Sequence, residues 1–183
     1  MTESPGVVPP QNYSQPLAGE RPELPQTGDE RTMLTTYLDH HRATFELKCR
    51  GVDPARLNER TMPPSALTLH GLLRHLTGGE RWWFQINFNG DEVPLLYYAD
   101  DDPDQDFDRL DGDLDEAWAA WRRECERSRE IVAAHDLDDE GTRVRDGEPI
   151  SLRGVLLKMI AEYARHNGHA DLLREGIDGA TGF

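Results

Sequence analysis

The sequence predicts an all-α fold, an antiparallel four-helix bundle that follows an N-terminal tail. Four segments carry apolar residues at steps of three and four, the spacing that places them on one face of a helix. No segment has the strong alternation typical of strands, and six of the twelve prolines precede residue 28. Helices that each bury one apolar stripe pack against one another, and four long ones form a bundle.

The early prolines also indicate the domain organisation. Proline lacks the N–H that a helix needs, and residues 1–28 carry too little apolar surface to offset the entropy of ordering. We expect this tail to be disordered or to lie as a strap on the domain. The chain of 183 residues then divides into the tail, one helical domain at 29–178 and a short C-terminal tail at 179–183.

The first two predicted helices form the N-terminal half of the domain. The first begins at Asp29 and ends at Gly51, a residue suited to a left-handed C-terminal position. Ser65 is the predicted cap of the second. The second helix buries Leu69, Leu72, Leu73, Leu76, Trp83 and Phe84. Because a glycine inside a helix costs about 1 kcal/mol relative to alanine, the pair Gly78-Gly79 indicates close packing, a bend or space for a ligand.

The acidic stretch from 100 to 115 is interpreted as a solvated loop. A calcium loop of the EF-hand type would need a glycine after Asp106, where the chain has Phe107. The third predicted helix follows this loop. It carries an apolar or small-residue face of Leu114, Trp118, Trp121, Cys125, Ser128 and Val132.

The fourth predicted helix closes the domain. A short extended piece around Val144 to Ile150, with a turn at Asp146-Gly147, precedes it. Ser151 is its predicted cap, and we expect it to end near Gly176.

The charge of the chain excludes some classes of partner. The formal net charge is −15 at pH 7, which repels nucleic acid and anionic membrane surfaces alike. No apolar run approaches the ~18–20 residues of a transmembrane helix, and the N-terminus lacks the pattern of a signal peptide. These observations predict a cytoplasmic protein without nucleic-acid or membrane partners. Assembly as a homodimer is left open.

The inward face of the fourth helix carries two residues that do not belong in an apolar core. The stripe that starts at Val155 and Met159 continues through Glu162 and His166. An ionised glutamate facing the core needs a cation, a proton or water. Glu162 and His166 are one turn apart and can converge on one ion, and His75 on the second helix supplies a third ligand. Such an N/O set suits zinc, nickel or cobalt.

These residues also resemble a known family. His75-Leu76 and Glu80-Arg81-Trp82-Trp83-Phe84, with Glu162-Tyr-Ala-Arg-His166-Asn-Gly168-His169-Ala-Asp171, are similar to motifs of the DinB-like metal-binding bundles, particularly the mini-circle-protein branch. The resemblance spans about 29–178. It implies that His75, Glu162 and His166 bind the metal, with the ExxxH pattern of the mycothiol-dependent maleylpyruvate isomerase type.

The resemblance implies thiol chemistry. A divalent metal, with zinc favoured over nickel, would activate a low-molecular-weight thiol such as mycothiol for attack on an electrophile, in an S-transferase or a thiol-dependent isomerase. Two alternatives remain open: a metal-binding stress or interaction protein without catalysis, and a metal-dependent hydrolase. The two small molecules, thiol and electrophile, are the expected partners.

Several other residues are candidates for a role beside these ligands. His169 is the candidate catalytic residue, either supporting a ligand or handling a proton, and a surface position is the alternative. His41 could face the same cavity or be an ordinary core histidine. Three cations lie near the motif in sequence, and a surface ion pair is the simplest interpretation of each. These cations are Arg81, Arg165 and Arg174. Cys49 and Cys125 are predicted to be buried thiols without chemistry.

Overall fold

The computed structural model describes residues 21–145 and 148–181, and this part of the chain is mainly helical. Four long helical elements account for most of it, as the apolar spacing predicts. The antiparallel order of a four-helix bundle stays a prediction, as do the domain boundaries. The tail at 1–20 lies outside the described residues, and 21–28 contain no helix or strand.

Helix α1 spans Glu30–Cys49, and its start confirms the predicted one. The carboxylate of Asp29 accepts a hydrogen bond of 2.9 Å from the backbone N–H of Thr32, which satisfies one of the free donors of the first turn. The residues before the helix contact it, because the carbonyl oxygen of Pro22 lies 2.9 Å from Nδ1 of His40.

Helix α2 spans Leu69–Glu80 and then continues as a π-helical segment, Arg81–Asn89, which ends at Gly90. The predicted cap, Ser65, is wrong. The hydroxyl of Thr68 caps the helix by accepting from Gly71, while the Ser65 hydroxyl accepts from Leu67 in the preceding turn. A π-helical segment is wider than an α-helix and turns the side chains that follow to a new direction, a change that periodicity does not reveal.

The acidic loop contains a short helix, α3, at Gln105–Asp108. It was expected to be fully solvated, but Asp106 is buried in the fold. Phe107 supplies the apolar contact that holds this segment: its ring stacks on that of His75, with ring centres 5.4 Å apart.

Helices α4, at Leu114–Ala134, and α5, at Leu152–Asp178, confirm the last two predicted helices. Ser151 caps α5 as expected, and Gly179 ends it in the left-handed conformation, at φ 76°. The helix is therefore slightly longer than the predicted end near Gly176, because only the later glycine adopts that conformation.

A two-stranded antiparallel hairpin joins α4 to α5. Its strands are β1, Glu140–Arg145, and β2, Glu148–Ser151, and their register shifts between Glu140 and Val144. Only a short extended piece was expected here, and the predicted turn at Asp146-Gly147 lies outside the described residues. The hairpin makes the fold less purely helical than predicted.

The core lies between α1, α2, α4 and α5. It includes buried side chains from all four, among them Phe45, Leu72, Trp121, Met159 and Tyr163. Helix α1 packs on α5, and α2 packs on both α4 and α5. None of the helices in the described ranges is long and apolar enough to cross a membrane.

A buried ion pair links α1 to α2. Glu80 is 0% exposed and Arg42 is 3% exposed, and the guanidinium donates to both carboxylate oxygens at 2.8 and 2.6 Å. The hydroxyl of Tyr163 on α5 adds a third donor at 2.8 Å. The expectation that Glu162 is the acidic residue facing the core is therefore incomplete, since Glu80 and Glu124 lie deeper.

Candidate metal centre and cavity

Three predicted ligands meet between α2 and α5. His75 comes from α2, and Glu162 and His166 come from successive turns of α5. Oε1 of Glu162 lies 3.1 Å from Nε2 of His75 and 3.0 Å from Nε2 of His166. The three side chains form a group whose donor atoms all lie within 4.8 Å of one another. The one-turn spacing of Glu162 and His166 thus brings both to the same point.

These contacts determine which nitrogen atoms of the two imidazoles carry protons. A carboxylate only accepts hydrogen bonds, so each Nε2 that faces Glu162 must carry a proton. The bonds from His166 and His75 hold the pKa of the Glu162 carboxyl well below its usual range. Burial lowers the pKa of His75, but hydrogen bonds to Asp106 and Glu162 outweigh it and raise this pKa to about 9.

Asp106 holds the other side of the His75 ring. Its Oδ2 lies 2.7 Å from Nδ1 of His75. The segment that carries Asp106 is anchored to α2 by Arg74, whose guanidinium donates to the backbone carbonyls of Gln105, at 3.0 Å, and Arg109. A carboxylate that accepts from the far nitrogen of a metal-binding imidazole fixes its orientation and raises its basicity.

The donor set fits a divalent transition metal. Two ligand atoms that are each about 2.1 Å from a tetrahedral ion lie about 3.4 Å apart. The distances of 3.0 and 3.1 Å from Oε1 to the two imidazole nitrogens are close to this value. A cation would replace the two Nε2 protons, with His75 still donating from Nδ1 to Asp106.

Two further residues surround the donors. His169 lies beside His166, with 3.2 Å between their Nδ1 atoms, and burial lowers the pKa of His169. The guanidinium of Arg165 lies 3.4 Å from Oε2 of Glu162, which is the carboxylate oxygen that the two histidines do not contact. The structure therefore brings the candidate catalytic residue, His169, next to a predicted ligand rather than among the three.

A cavity of about 710 Å³ adjoins this centre. His75 and Glu162 are part of its wall, together with four aromatic residues, Trp82, Trp83, Tyr97 and Tyr98. Gly78 explains how one wall is built. A Cβ at this position would lie 2.9 Å from the carbonyl oxygen of Leu96, so the missing side chain lets the loop that carries Tyr97 approach α2. This volume is typical of pockets for small molecules.

A family model described as Mycothiol-S-transferase matches residues 33–179, which is most of the chain. The chain belongs to the mycothiol S-transferase family. The searches of curated proteins and of solved structures found no significant match. Membership of this family confirms the resemblance to DinB-like, mycothiol-related proteins, while the mini-circle-protein branch stays a prediction.

Apart from Arg165, which contacts Glu162, the remaining sequence candidates lie outside the centre of this mycothiol S-transferase family member. His41 contacts Asn167 of α5 through its backbone carbonyl, which accepts at 3.0 Å. The nearby cations form ion pairs, Arg81 with Glu124, Arg165 with Glu162 and Arg174 with Asp178. Cys49 and Cys125 are buried, and burial raises the pKa of the Cys49 thiol to about 12.

The sequence did not predict Asp106, the aromatic pair Tyr97 and Tyr98 or Arg143 as parts of the site, although all four line the cavity. For Asp106 there was one signal, because Phe107 is an isolated large apolar residue in an acidic stretch. The other three lie in a loop and a hairpin whose packing depends on distant residues.

Proposed function

We propose that this chain is a divalent-metal-dependent mycothiol S-transferase in which His75, Glu162 and His166 bind the metal. One observation carries the proposal: His75 and Glu162 belong both to the group of converging donors and to the cavity wall. A cation on those donors would therefore face a small molecule in the cavity. Zinc is the metal we favour and nickel is the alternative, because both accept imidazole and carboxylate ligands.

A bound divalent cation would supply Lewis acidity, which favours the thiolate over the thiol of the cosubstrate. Mycothiol is the cosubstrate we propose, on the basis of the family. Its sugars suit the aromatic residues of the cavity wall, because sugar rings present apolar C–H faces that pack on flat aromatic rings. The cytoplasmic location stays a prediction.

The residues around the donors have separate roles in this proposal. Asp106 orients His75 through its Nδ1 proton, and Arg165 occupies the second oxygen of Glu162. The thiolate sulfur forms a bond to the electrophilic carbon, and the leaving group departs with the bonding electron pair. We assign the released thiol proton to His169, whose ring lies beside that of the proposed ligand His166. If the electrophile is an activated alkene, the thiolate adds to its double bond and is later expelled. The alkene can re-form with the other geometry, and the protein is then an isomerase.

The test uses purified full-length protein, mycothiol and monochlorobimane. The wild type is expected to form the mycothiol conjugate faster than the variants His75→Ala and His166→Ala, which also lose bound metal in elemental analysis. His135→Ala is the matched control, because His135 contacts Asp139 far from the donors. It should keep both metal and activity.

Two outcomes would overturn the transferase. Stoichiometric metal with no conjugate above the rate of His75→Ala would favour a metal-binding protein without catalysis. A hydroxylated product that forms at the same rate without thiol would favour a hydrolase. Less than a tenth of an equivalent of any transition metal after reconstitution would refute the metal centre itself.

A further inference from the structure

The cavity extends well beyond the proposed metal centre. Its wall runs along α2 and the π-helical segment, from His75 through Gly79 and Trp83 to Asn87. Asn87 follows His75 by about three helical turns, so roughly 15–18 Å separate their Cα atoms at about 1.5 Å per residue, or slightly less in the π-helical segment. A ligand whose reacting atom lies at the centre therefore leaves the far end free for a second group.

The hairpin closes this far end. Strand β1 packs on the end of the π-helical segment. A Cβ on Gly141 would lie 2.9 Å from the Cα of Phe88, and a Cβ on Gly90 would clash with the side chain of Thr142. The strand register is irregular between Glu140 and Val144, and such irregularities redirect side chains. Arg143 lies within this stretch and lines the cavity.

Arg143 is a cation without a partner in this wall. The other cation of the wall, Arg74, donates hydrogen bonds to the backbone carbonyls of Gln105 and Arg109. Across the part of the chain that the structure describes, Arg143 forms no ion pair or hydrogen bond, even though Asp100 also lines the cavity. Arg143 is exposed to the solvent of the cavity, so its guanidinium is available to an anionic ligand there.

Asn87 is the second unpartnered group at this end. It is only 3% exposed and lines the cavity. Its amide makes no hydrogen bond to any residue in 21–145 or 148–181. The N and O atoms of this amide are reached by solvent, so a ligand in the cavity can bond them. An amide donor and a guanidinium together match the two oxygens of a carboxylate.

We propose that Asn87 and Arg143 form a carboxylate-binding subsite, which selects electrophilic cosubstrates with a carboxylate at the end remote from the reacting carbon. The proposal rests on the proposed transferase function for the identity of the reaction, but the subsite itself can be tested without turnover. We assign the carboxylate to the electrophile because the sugars of the thiol are neutral.

The first experiment measures equilibrium binding of a non-reactive probe by titration calorimetry. The probe is 6-acetamidohexanoate, and its neutral N-methylamide is the matched ligand. Wild-type protein is expected to bind the acid about tenfold more tightly than the amide, as a charge-assisted hydrogen bond allows. Arg143→Gln should abolish this preference. Arg56→Gln changes the net charge equally but lies in the loop with Glu59, so it should retain the preference.

The second experiment measures turnover of 6-(2-bromoacetamido)hexanoate and its N-methylamide with mycothiol, in which sulfur replaces bromide. Arg143→Gln should raise KM for the acid about tenfold and leave KM for mycothiol and for the amide unchanged. A rise in KM for mycothiol instead would assign the subsite to the thiol and overturn the proposal. Equal binding of acid and amide by the wild type, or a preference that survives in Arg143→Gln, would also overturn it. Absence of turnover with retained acid binding contradicts only the transferase.

Discussion

Replacing Glu80 by glutamine removes the charge from the buried ion pair while keeping the size of the side chain. Arg42 is then left 3% exposed, and its remaining carboxylate partner is Asp39, at 2.9 Å, on the edge of the core. Breaking a buried pair by removing one partner costs about 3–5 kcal/mol. For a chain of this size each kcal/mol lowers the melting temperature by about 2–4 °C, so we expect a fall of roughly 6–20 °C.

The effect depends on pH in a defined direction. Burial raises the pKa of Glu80, but the charge and hydrogen bonds of Arg42 outweigh it and leave this pKa below its ordinary value. A depressed folded pKa stabilises the protein above the pKa of the unfolded glutamate, about 4.3, and this stability is lost as the pH falls. The difference between wild type and Glu80→Gln should be constant above about pH 5 and shrink below about pH 4.

Thermal unfolding followed by far-ultraviolet circular dichroism measures this difference. Glu30→Gln is the matched control: it breaks an ion pair with Arg153 that is exposed to solvent, where screening leaves little stabilisation. A melting temperature for Glu80→Gln no lower than that of Glu30→Gln would refute the reasoning. So would a difference that persists unchanged at pH 3.

Three further outcomes are expected. Asp106→Ala should weaken zinc binding about 10–100-fold in a competition titration with a chelator, because His75 loses the acceptor that orients it; unchanged affinity would contradict this role. Gly78→Val should destabilise the protein by about 1–3 kcal/mol in urea unfolding, since the Leu96 carbonyl occupies the space. Iodoacetamide should label neither Cys49 nor Cys125 in the folded protein at pH 8, because burial raises both thiol pKa values; rapid labelling would show that these thiols are accessible.

The parts of the fold that the sequence predicts are those set by local spacing. The apolar steps of α1, α4 and α5, the start of α1 and the cap Ser151 depend on residues within a few positions, so the pattern predicts them directly. The same holds for Glu162 and His166, which converge because one helical turn separates them.

The parts that escape prediction depend on contacts between distant segments. In the sequence, Asp106 is one of several aspartates of the acidic loop. Only the packing of α3 against α2 brings its carboxylate to His75. The partner of Glu80 lies on another helix, 38 residues away in sequence, and no local pattern pairs it with Arg42. The π-helical winding after Glu80 likewise breaks the period on which the predicted face of the second helix relied.

The cavity has walls of two kinds. The converging donors lie on α2 and α5, which are long helices packed into the core, whereas Leu96, Tyr97 and Arg143 lie on a loop and a hairpin at its edge. A change of length or sequence in the loop or hairpin would alter which molecules fit without moving the donor atoms. Substrate range and chemistry can therefore diverge separately in evolution, and grafting a different hairpin between Glu140 and Ser151 is a practical route to a new specificity.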